Sequence, residues 1–433
     1  MRALVLGGDG RAHALAWALD NSASVDEVVA GPGNPGIAAM GKRCVPVRAN
    51  DPADVVRLAG DVEADMVVVS AEEPLVHGVA DALRSHGTLV FGPGADGARL
   101  EGSKAWMKAV LSEAGVPTAR HAAFTADQES EALNFLERLP GLYVVKTDGL
   151  AGGKGVTVTE SIGEARDAVR AYLSGRAFGD AGRTCVIEEG LIGPELSLLV
   201  VCNGTMEGRP LAPAQDFKRI GDGDRGPNTG GMGAYSPVPV AGAEVVAEVM
   251  ERAVTPTLHA LAARDITYRG VLYAGLMLTP DGVKVLEYNV RFGDPEAQAV
   301  LPRLASDVGQ LCWAAASGRA EIETKFRDDA CVTVVLATEG YPASPRKGDV
   351  IEGIDDAEQL PGVTVFHAGT RQADGARLLT AGGRVLDVTA VAPTLGAARD
   401  RAYEAAGRIT WRGVQYRRDI AAAAVESSGK EPA

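Results

Sequence analysis

The first hundred residues of the chain alternate between short apolar strands and helical patterns. The strand-like stretches read RALVLGG, DEVVAGPG, ADMVVVSAE and TLVFGPG. Apolar strands separated by helices predict a parallel sheet that is covered by helices on both faces. The sequence therefore predicts an α/β fold. Ligands are expected at the carboxyl ends of these strands, where the loops are rich in glycine and proline.

The loop after the first strand matches a dinucleotide-binding fingerprint only in part. Its first two glycines fit the pattern G-x-G-x-x-G, but His13 stands at the third position. The second strand ends in Ala30-Gly31 instead of the acid that would hold a ribose hydroxyl, which disfavours a nicotinamide enzyme. Amides at a helix start beside Arg11 suit a phosphomonoester. A tight turn without a ligand explains the glycines equally well.

Composition limits the classes of protein to which the chain can belong. A length of 433 residues with 46% hydrophobic and 23% charged residues predicts about three globular domains. The net charge of −14 argues against nucleic-acid binding, since phosphate contacts need clustered Lys and Arg. The chain starts directly with a strand and has no long apolar run, which predicts a cytoplasmic protein without a membrane span. Five scattered cysteines indicate neither disulfides nor a zinc site.

The stretch YVVKTDGLAGGKGVTV, residues 143 to 158, places a glycine-rich loop between two strand-like runs. A P-loop needs a hydroxyl residue after its Gly-Lys pair and a glycine five residues before that pair. Gly155 and Asp148 occupy these two positions, so a P-loop is excluded. The loop is expected at the tip of a β-hairpin. Its glycines and lysine favour phosphate binding, although a hairpin connection without a ligand is the alternative.

The strand-like stretch VLEYNVR carries the candidate metal ligands. Alternation along a strand places Glu287, Asn289 and Arg291 on one face. A carboxylate and an amide oxygen are suitable ligands for Mg²⁺, and the guanidinium is suited to stabilise a transferring phosphoryl group. The solvent face of an exposed strand is the alternative interpretation.

The stretch TCVIEEGLIGPEL, residues 184 to 196, is an apolar strand that runs into two acids and a turn. Backbone groups at such a strand end can pair with an adenine edge, and a nearby acid can hold ribose hydroxyls. A simple cap is the more common explanation when the stretch is taken alone. Lys104 and Lys146 are weak indicators on their own.

Several motifs together resemble the ATP-grasp superfamily and, within it, the phosphoribosylamine–glycine ligases of purine biosynthesis. The motifs are LEGSKA (100–105), KTDGLAGGKGV (146–156), AFGDAG (177–182), VIEE (186–189), GPNTGGMGAYSP (226–237), YAGLM (273–277), RFGDPE (291–296) and VFHAGT (365–370). They cover nearly the whole chain in the order of the family. PNTGGMGAYSP and RFGDPE are specific to this enzyme type, whereas the glycine-rich loop and the Glu-x-Asn pair occur across ATP-grasp ligases.

The resemblance implies a multidomain α/β protein of the ATP-grasp fold with four parts. These are an N-terminal Rossmann-like substrate domain (1–102), a small lid subdomain with its connecting helix (103–193), a large ATP-grasp subdomain (194–326) and a C-terminal mixed α/β domain (327–424). Residues 425–433 are expected to form a disordered tail, and the protein is expected to be a monomer.

The resemblance also implies a reaction and the residues that carry it. The enzyme would use ATP and Mg²⁺ or Mn²⁺ to join glycine to 5-phosphoribosylamine through glycyl phosphate, giving glycinamide ribonucleotide, ADP and phosphate. The implied catalytic residues are Lys146 and Arg291, and the implied metal ligands are Glu287 and Asn289. The implied ATP-binding residues are Lys104, Lys146, Gly152, Gly153, Lys154, Gly155, Glu188, Glu189, Leu191 and Glu195. The implied substrate-binding residues are Gly10, Arg11, Asn34, Glu72, Asp216, Lys218, Asn228, Thr229, Gly231, Met232, Arg291 and Asp294.

Two positions depart from the pattern of the family. Ala12 stands where Glu is typical, and Ser70-Ala71-Glu72 stands where Gly-Pro-Glu is typical. Both departures lie in the predicted N-terminal domain. They therefore bear on phosphoribosylamine binding and leave the ATP chemistry untouched.

Overall fold

The computed structural model describes residues 1–150, 155–175, 183–319, 321, 323–373 and 377–428. Gly152, Gly153 and Lys154 of the predicted ATP loop lie outside these ranges, as does the motif at 177–182. Across the described ranges, no helix is long and apolar enough to cross a membrane.

The N-terminal region forms a parallel sheet of five strands in the order β3-β2-β1-β4-β5. The strands are β1 (Arg2–Gly7), β2 (Glu27–Pro32), β3 (Arg43–Cys44), β4 (Met66–Val69) and β5 (Leu89–Phe91). The helices are α1 (Gly10–Asp20), α2 (Pro35–Ala39), α3 (Pro52–Asp61), α4 (Glu72–Val76), α5 (Val79–Ser85) and α6 (Ala95–Gly102). The central residues of β1 and all of β4 are buried, as strands covered on both faces require. The predicted α/β class is confirmed.

A second sheet contains the hairpin that the glycine-rich stretch predicts. Helix α7 (Lys104–Glu113), whose first turn is capped by the Ser103 hydroxyl, leads into it. The antiparallel order is β6-β9-β7-β8, with β6 (His121–Thr125), β7 (Tyr143–Thr147), β8 (Val156–Thr159) and β9 (Thr184–Glu189). Helices α8 (Glu129–Leu136) and α9 (Ile162–Leu173) share its small hydrophobic core. β7 and β8 pair antiparallel, so the loop between them connects the strands of a hairpin.

The third sheet is antiparallel and carries the predicted metal ligands. Its order is β11-β10-β16-β17, with β10 (Glu195–Asn203), β11 (Gly208–Pro210), β16 (Arg269–Thr279) and β17 (Gly282–Asn289). A register shift in the pairing of β16 with β17 places Glu287 opposite Gly275 and leaves Leu286 without a partner. Glycine at position 275 keeps the facing strand clear of the Glu287 side chain, because an added Cβ would lie 3.3 Å from its Cγ.

The fourth sheet contains strands from both sides of the predicted domain boundary at residue 327. Its order is β12-β15-β18-β22-β19, with β12 (Gln215–Asp216), β15 (Gly233–Ser236), β18 (Ala330–Ala337), β19 (Val363–His367) and β22 (Arg384–Ala392). The other strands form two hairpins, β13 (Arg219–Gly221) with β14 (Arg225–Asn228) and β20 (Thr370–Gln372) with β21 (Leu378–Thr380). The short segment with Asp216 is thus anchored to the C-terminal sheet. The domain boundaries themselves remain predictions.

The remaining helices cover the third and fourth sheets and the C-terminus. They are α10 (Ala243–Val249), α11 (Thr255–Ala262), α12 (Glu296–Val300), α13 (Val308–Ser317), α14 (Ile354–Glu358), α15 (Leu395–Arg408) and α16 (Ala422–Ser428). Helix α16 corrects the predicted tail, because its residues 425–428 are helical and Val425 packs against the main hydrophobic core. Residues 429–433 lie outside the described ranges.

Two buried histidines join the N-terminal and C-terminal parts of the molecule. The Nδ1 atom of His13 on α1 accepts a hydrogen bond from the backbone amide of His367 on β19, at 2.8 Å. The two side chains are 4% and 7% exposed, and their rings meet edge to face. Burial lowers the pKa of His13 to about 3, with a further contribution from His367, and burial lowers the pKa of His367 to about 4.

These two pKa values predict a loss of stability in weak acid. Below pH 6.5 the unfolded chain binds protons at both histidines while the folded protein does not. The free energy of unfolding should therefore fall by about 1.4 kcal/mol per pH unit for each histidine between about pH 6 and pH 4. Urea unfolding of His13→Gln should show a shallower dependence on pH than the wild type. His86→Gln alters an exposed histidine and should keep the wild-type slope; equal slopes in all three proteins would contradict the prediction.

Candidate active site

A cleft of about 890 Å³ lies where the second, third and fourth sheets meet the N-terminal sheet. It is large enough for a nucleotide and a small substrate. Most of the predicted site residues line it: Arg11, Glu72, Lys104, Lys146, Gly155, Glu188, Glu189, Leu191, Glu195, Asp216, Lys218, Asn228, Thr229, Glu287, Asn289, Arg291 and Asp294. The fold therefore brings together residues that are almost three hundred positions apart in the chain.

Four predicted substrate residues are not part of the wall of the cleft. Met232 is fully buried, and its backbone bonds to Phe217 and Val335. Asn34 donates to the carbonyls of Gly8 and His367 and caps α2. The described contacts of Met232 and Asn34 lie within the fold, and their substrate roles stay predictions.

The remaining two are glycines that permit close approach between elements. A Cβ on Gly10 would overlap with the carboxylate of Asp387 on β22. Gly231 has φ +113°, and a Cβ there would collide with Pro295 and lie 2.7 Å from Asp216 Oδ1. Gly10 and Gly231 thus allow neighbouring elements to pack closely beside the cleft. Their contact with the substrate stays a prediction.

Two lysines and a glutamate form a buried ionic cluster on the floor of the cleft. The Glu188 carboxylate lies 2.9 Å from Lys108 Nζ through one oxygen and 2.9 Å from Lys146 Nζ through the other. Burial lowers the pKa of Lys108 to about 8. Burial alone would raise the pKa of Glu188, but the two ammonium groups outweigh it and lower that pKa. The cluster therefore fixes the position of the Lys146 side chain in the cleft.

This cluster gives the side chain of Glu188 a role beside the predicted one. The side chain is 2% exposed and its two oxygens face lysines, so it positions Lys146. The adenosine role of this strand end stays a prediction. Lys108 was missed, although it follows Lys104 by four residues on α7 and therefore shares a helix face with it.

Lys104 is a cation of the cleft without a close carboxylate partner among the described residues. Its ammonium group donates to the carbonyl of Gly149 at 3.1 Å, and no described carboxylate lies within 4 Å of it. The Asp148 carboxylate accepts hydrogen bonds from the Ser103 hydroxyl and the Ala105 amide, which ties the start of the glycine-rich loop to α7. Burial lowers the pKa of Lys104. An anionic phosphate would satisfy this amine.

The predicted metal ligands project into the cleft from the end of β17. Burial would raise the pKa of Glu287, but Lys218, Lys146 and Lys104 outweigh it and lower the pKa to about 2. Glu287 is therefore ionised at neutral pH. Asn289 presents its amide oxygen from the same strand face, and this oxygen accepts a hydrogen bond of 3.3 Å from Arg291. These two oxygen donors fit a hard divalent cation.

Protein side chains alone do not complete a metal site at this position. No group of three or more His, Cys, Asp or Glu side chains that could hold a metal occurs in the part of the chain that the structure describes. Mg²⁺ usually takes one or two carboxylates and completes its shell with water and nucleotide phosphates. Glu287 and Asn289 therefore suit a cation that arrives with a nucleotide.

Arg291 is held by two acids of the N-terminal region. Its guanidinium donates to Glu72 at 3.1 Å and to Glu101 at 2.7 Å. Burial would lower the pKa of Arg291, but the two carboxylates raise it, so the side chain stays charged. Burial raises the pKa of Glu101 to about 7. Glu101, which lies in the motif LEGSKA, was not among the predicted site residues.

Lys218 connects the predicted nucleotide and metal residues. Its ammonium group lies 3.0 Å from Glu195 and 3.9 Å from Glu287. These carboxylates raise the pKa of Lys218 against the effect of burial. Glu195 and Lys218 were predicted for different ligands, yet they form one ion pair at the edge of the cleft.

Comparisons with known proteins decide the family. Family models described as Phosphoribosylglycinamide synthetase N domain, ATP-grasp (A) domain and C domain match residues 1–101, 102–297 and 331–423. The chain belongs to the phosphoribosylglycinamide synthetase family. This confirms the predicted ATP-grasp fold and the predicted class of enzyme, an ATP-dependent ligase of purine biosynthesis that also uses a divalent metal.

Relatives of known name are similar along their whole length. The phosphoribosylamine–glycine ligase of Streptomyces coelicolor is 49% identical over 428 residues, which cover 98% of this chain and 99% of the relative. The enzyme of the same name from Brucella melitensis is 45% identical over 427 residues, with the same coverage. The crystal structure of phosphoribosylamine–glycine ligase from Thermotoga maritima has a TM-score of 0.83 at 33% identity and covers 97% of this chain and 100% of that one.

The two departures from the family pattern lie side by side in this member of the phosphoribosylglycinamide synthetase family. Ala12 on α1 and Ser70 after β4 are both fully buried. They flank Gly7, since a Cβ built there would lie 3.1 Å from the Cβ atoms of both residues. The Ser70 hydroxyl donates to the carbonyl of Leu6 at 2.9 Å. Ala12 and Ser70 thus both lie close to Gly7, so the two departures occupy neighbouring places in the fold.

The C-terminal segment supports the wall of the active site through Arg417, a residue that the sequence analysis missed. Arg417 is 1% exposed and donates to Asp224 at 2.6 Å and to Asp419 at 2.7 Å. Its guanidinium lies over the ring of Phe217, 4.8 Å from the centroid. Phe217 stands between Asp216 and Lys218 in the chain, so Arg417 fixes the segment that carries both.

Replacing Arg417 with alanine should loosen this segment. We expect the free energy of unfolding to fall by about 2–3 kcal/mol, because a buried side chain and its bonds are lost. We also expect substrate KM values to rise by about tenfold as Asp216 and Lys218 lose their support. Arg418→Ala removes an exposed neighbour and should leave both quantities unchanged. Steady-state kinetics and urea unfolding measure both effects, and wild-type KM values in Arg417→Ala would refute the supporting role.

Proposed function

We propose that the chain joins glycine to 5-phosphoribosylamine at the expense of ATP and forms glycinamide ribonucleotide, ADP and phosphate. Family membership supports this proposal, because the similar proteins are named phosphoribosylamine–glycine ligase. The observation that carries it is the meeting of Glu287, Asn289 and Arg291 with Lys104 and Lys146 in one cleft. That set matches what phosphoryl transfer to a carboxylate needs.

In the first step, a glycine carboxylate oxygen attacks the γ-phosphorus of ATP and ADP leaves. Lys104 and Lys146 bind the phosphates, and the buried Glu188 keeps Lys146 in position. Arg291 is held by Glu72 and Glu101, and it stabilises charge on the transferred phosphoryl group. A Mg²⁺ or Mn²⁺ ion held by Glu287 and Asn289 would neutralise the β- and γ-phosphates.

In the second step, the amine of 5-phosphoribosylamine attacks the acyl carbon of glycyl phosphate. The C–N bond forms, the acyl C–O bond breaks, and phosphate leaves with the former carboxylate oxygen. The amine gives up one proton to water. Because the acyl phosphate is easily hydrolysed, we propose that the hairpin of β7 and β8 closes the cleft during this step. Arg11 and Glu72, which line the cleft from the N-terminal region, are proposed to contact the ribosylamine.

An ADP-release assay with single substrate omissions tests this function. The purified protein should release ADP and form the ribonucleotide product only when ATP, a divalent metal, glycine and 5-phosphoribosylamine are all present. Turnover with bicarbonate or formate in place of glycine would favour another ATP-grasp ligase. A monomeric state and a cytoplasmic location remain predictions from the sequence, and gel filtration tests the first of them.

A further inference from the structure

A carboxyl group and an amide group form a buried pair where the C-terminal sheet meets α12. Asp387 on β22 and Gln298 on α12 are both fully buried. The Gln298 Nε2 atom donates to Asp387 Oδ2 at 2.8 Å and to Asp294 Oδ1 at 2.8 Å. The pair also touches the start of α1, because a Cβ on Gly10 would overlap with Asp387 Oδ2 and lie 2.8 Å from Gln298 Nε2. Three parts of the chain therefore meet at this pair.

The pair leaves two buried acceptor atoms without a donor. Asp387 Oδ1 and Gln298 Oε1 are both buried, and no described group forms a hydrogen bond with either of them. An ionised carboxylate and an amide oxygen can only accept hydrogen bonds, so these two atoms cannot satisfy each other. Each buried acceptor without a partner is costly. One proton on Asp387 Oδ1 would turn that atom into a donor to Gln298 Oε1, and this would satisfy both atoms.

The charges around Asp387 also favour its neutral form. Arg384 on the same strand pairs with Asp294 at 3.1 Å, and no described cation lies within 4 Å of Asp387. Burial and the charge of Asp294 raise the pKa of Asp387 to about 7, with a small contribution from Asp9, although Arg384 acts against them. Burial would also raise the pKa of Asp294, but Arg384 and Arg11 outweigh it and lower that pKa. The proton of this group of acids therefore belongs on Asp387.

We propose that Asp387 keeps a proton in the folded protein and donates it in a hydrogen bond to Gln298, and that this neutral pair positions Asp294 beside the active-site cleft. One hydrogen of the Gln298 nitrogen is then committed to Asp387, and the other is left for Asp294, which lines the cleft. Asp387 is thus a positioning residue that acts through Gln298. Its proton does not depend on the reaction proposed above, so it can be tested without substrates.

Urea unfolding at several pH values tests for the proton. An aspartate in an unfolded chain has a pKa of about 4, so between about pH 4 and pH 7 the folded protein holds this proton and the unfolded chain does not. A rise in pH across this range therefore destabilises the wild type through Asp387. Asp387→Asn keeps the shape of the side chain, supplies a permanent donor and removes the titration. The folding equilibrium constant of this variant, divided by that of the wild type, should increase by about tenfold for each pH unit in this range. Asp281→Asn alters an exposed aspartate and serves as the matched control.

Infrared difference spectroscopy detects the proton directly. At about pH 6 the band of protonated carboxyl groups should be larger in the wild type than in Asp387→Asn by one group per molecule. The difference between the two proteins is needed because burial also raises the pKa values of Glu101 and Asp216. The same comparison with Asp281→Asn should show no loss of this band.

Kinetics of two further variants test the positioning role. Asp387→Leu has a similar size but can neither donate nor accept a hydrogen bond, so Gln298 loses its partner. The kcat/KM for ADP release should fall by about tenfold or more in this variant, because Asp294 is no longer held in place. Asp387→Asn should restore it to near the wild-type value. Gln298→Met removes the amide itself and should cause the same loss, which keeps the test open if Asp387→Leu does not fold.

Each part of the inference can be contradicted separately. If the stability of Asp387→Asn depended on pH as that of the wild type does, or if its carboxyl band were unchanged, Asp387 would not hold the proton. Wild-type kcat/KM in folded Asp387→Leu or Gln298→Met would overturn the positioning role. A wild-type protein that releases no ADP with glycine would overturn the proposed function, whereas unfolding and infrared spectra would still decide whether Asp387 is protonated.

Discussion

Replacing Glu287 with glutamine is expected to lower the rate of glycine-dependent ADP release by about a thousandfold. The substitution keeps the shape of the side chain and removes an ionised carboxylate whose pKa is lowered, against the effect of burial, by nearby lysines of the cleft. The pKa of Glu287, at about 2, means that the wild-type group is charged over the whole working range of pH. A loss of metal affinity should accompany the loss of rate. It is measured by titrating Mg²⁺ against ADP release.

A matched control separates this effect from a general change in surface charge. Glu244→Gln alters an exposed glutamate in the first turn of α10 and should keep the wild-type rate and metal dependence. If Glu287→Gln retained near-normal turnover at ordinary Mg²⁺ concentrations, Glu287 would not be a metal ligand. Asn289 would then lose its assignment as well, because the two residues are assigned together on one strand face.

Replacing Lys146 with methionine is expected to affect both activity and stability. The rate of ADP release should fall by about a hundredfold or more, because one phosphate-binding cation is lost. The free energy of unfolding should fall by about 3 kcal/mol, because Glu188 keeps only Lys108 as a partner in a buried site. Lys347→Met changes an exposed lysine and should alter neither quantity. Kinetics and urea unfolding measure the two effects.

A double-mutant cycle distinguishes the two roles of Lys146. In the Lys146→Met variant, the buried Glu188 carboxylate has lost one of its two lysine partners. Adding Glu188→Gln removes the charge of that carboxylate. The double variant should therefore be more stable than the sum of the two single changes predicts. Its activity should stay low, because the phosphate-binding cation is still absent. Additive stabilities would show that the cluster of Lys108, Lys146 and Glu188 is not coupled.

The sequence predicted those features of the fold that depend on local pattern. Alternating apolar strands and helices predicted the parallel sheet, and strands on both sides of the glycine-rich loop predicted the hairpin of β7 and β8. The spacing of Glu287, Asn289 and Arg291 predicted one polar face at the end of β17, and all three line the cleft. Each of these features is set by residues that are close together in the chain.

The sequence did not predict contacts that depend on distant partners. The resemblance implied an ATP-binding role for Glu188, but nothing near it in the chain indicated that Lys108 on another element contacts one of its oxygens. Arg417 is almost two hundred residues from Asp224, and nothing near it in the chain indicates their contact. The resemblance implied substrate roles for Asn34 and Met232, yet the described contacts of both residues lie within the fold. Motif position alone does not separate residues that touch a ligand from residues that support its site.

Transfer of oxygen from the substrate carboxylate to phosphate tests the central claim most directly. Glycine labelled with ¹⁸O in its carboxylate is incubated with the wild-type protein, ATP, Mg²⁺ and 5-phosphoribosylamine, and the released phosphate is examined by mass spectrometry. Phosphorylation of the carboxylate predicts one ¹⁸O atom in each phosphate that is formed along with the ribonucleotide product. Unlabelled phosphate released together with that product would contradict the account.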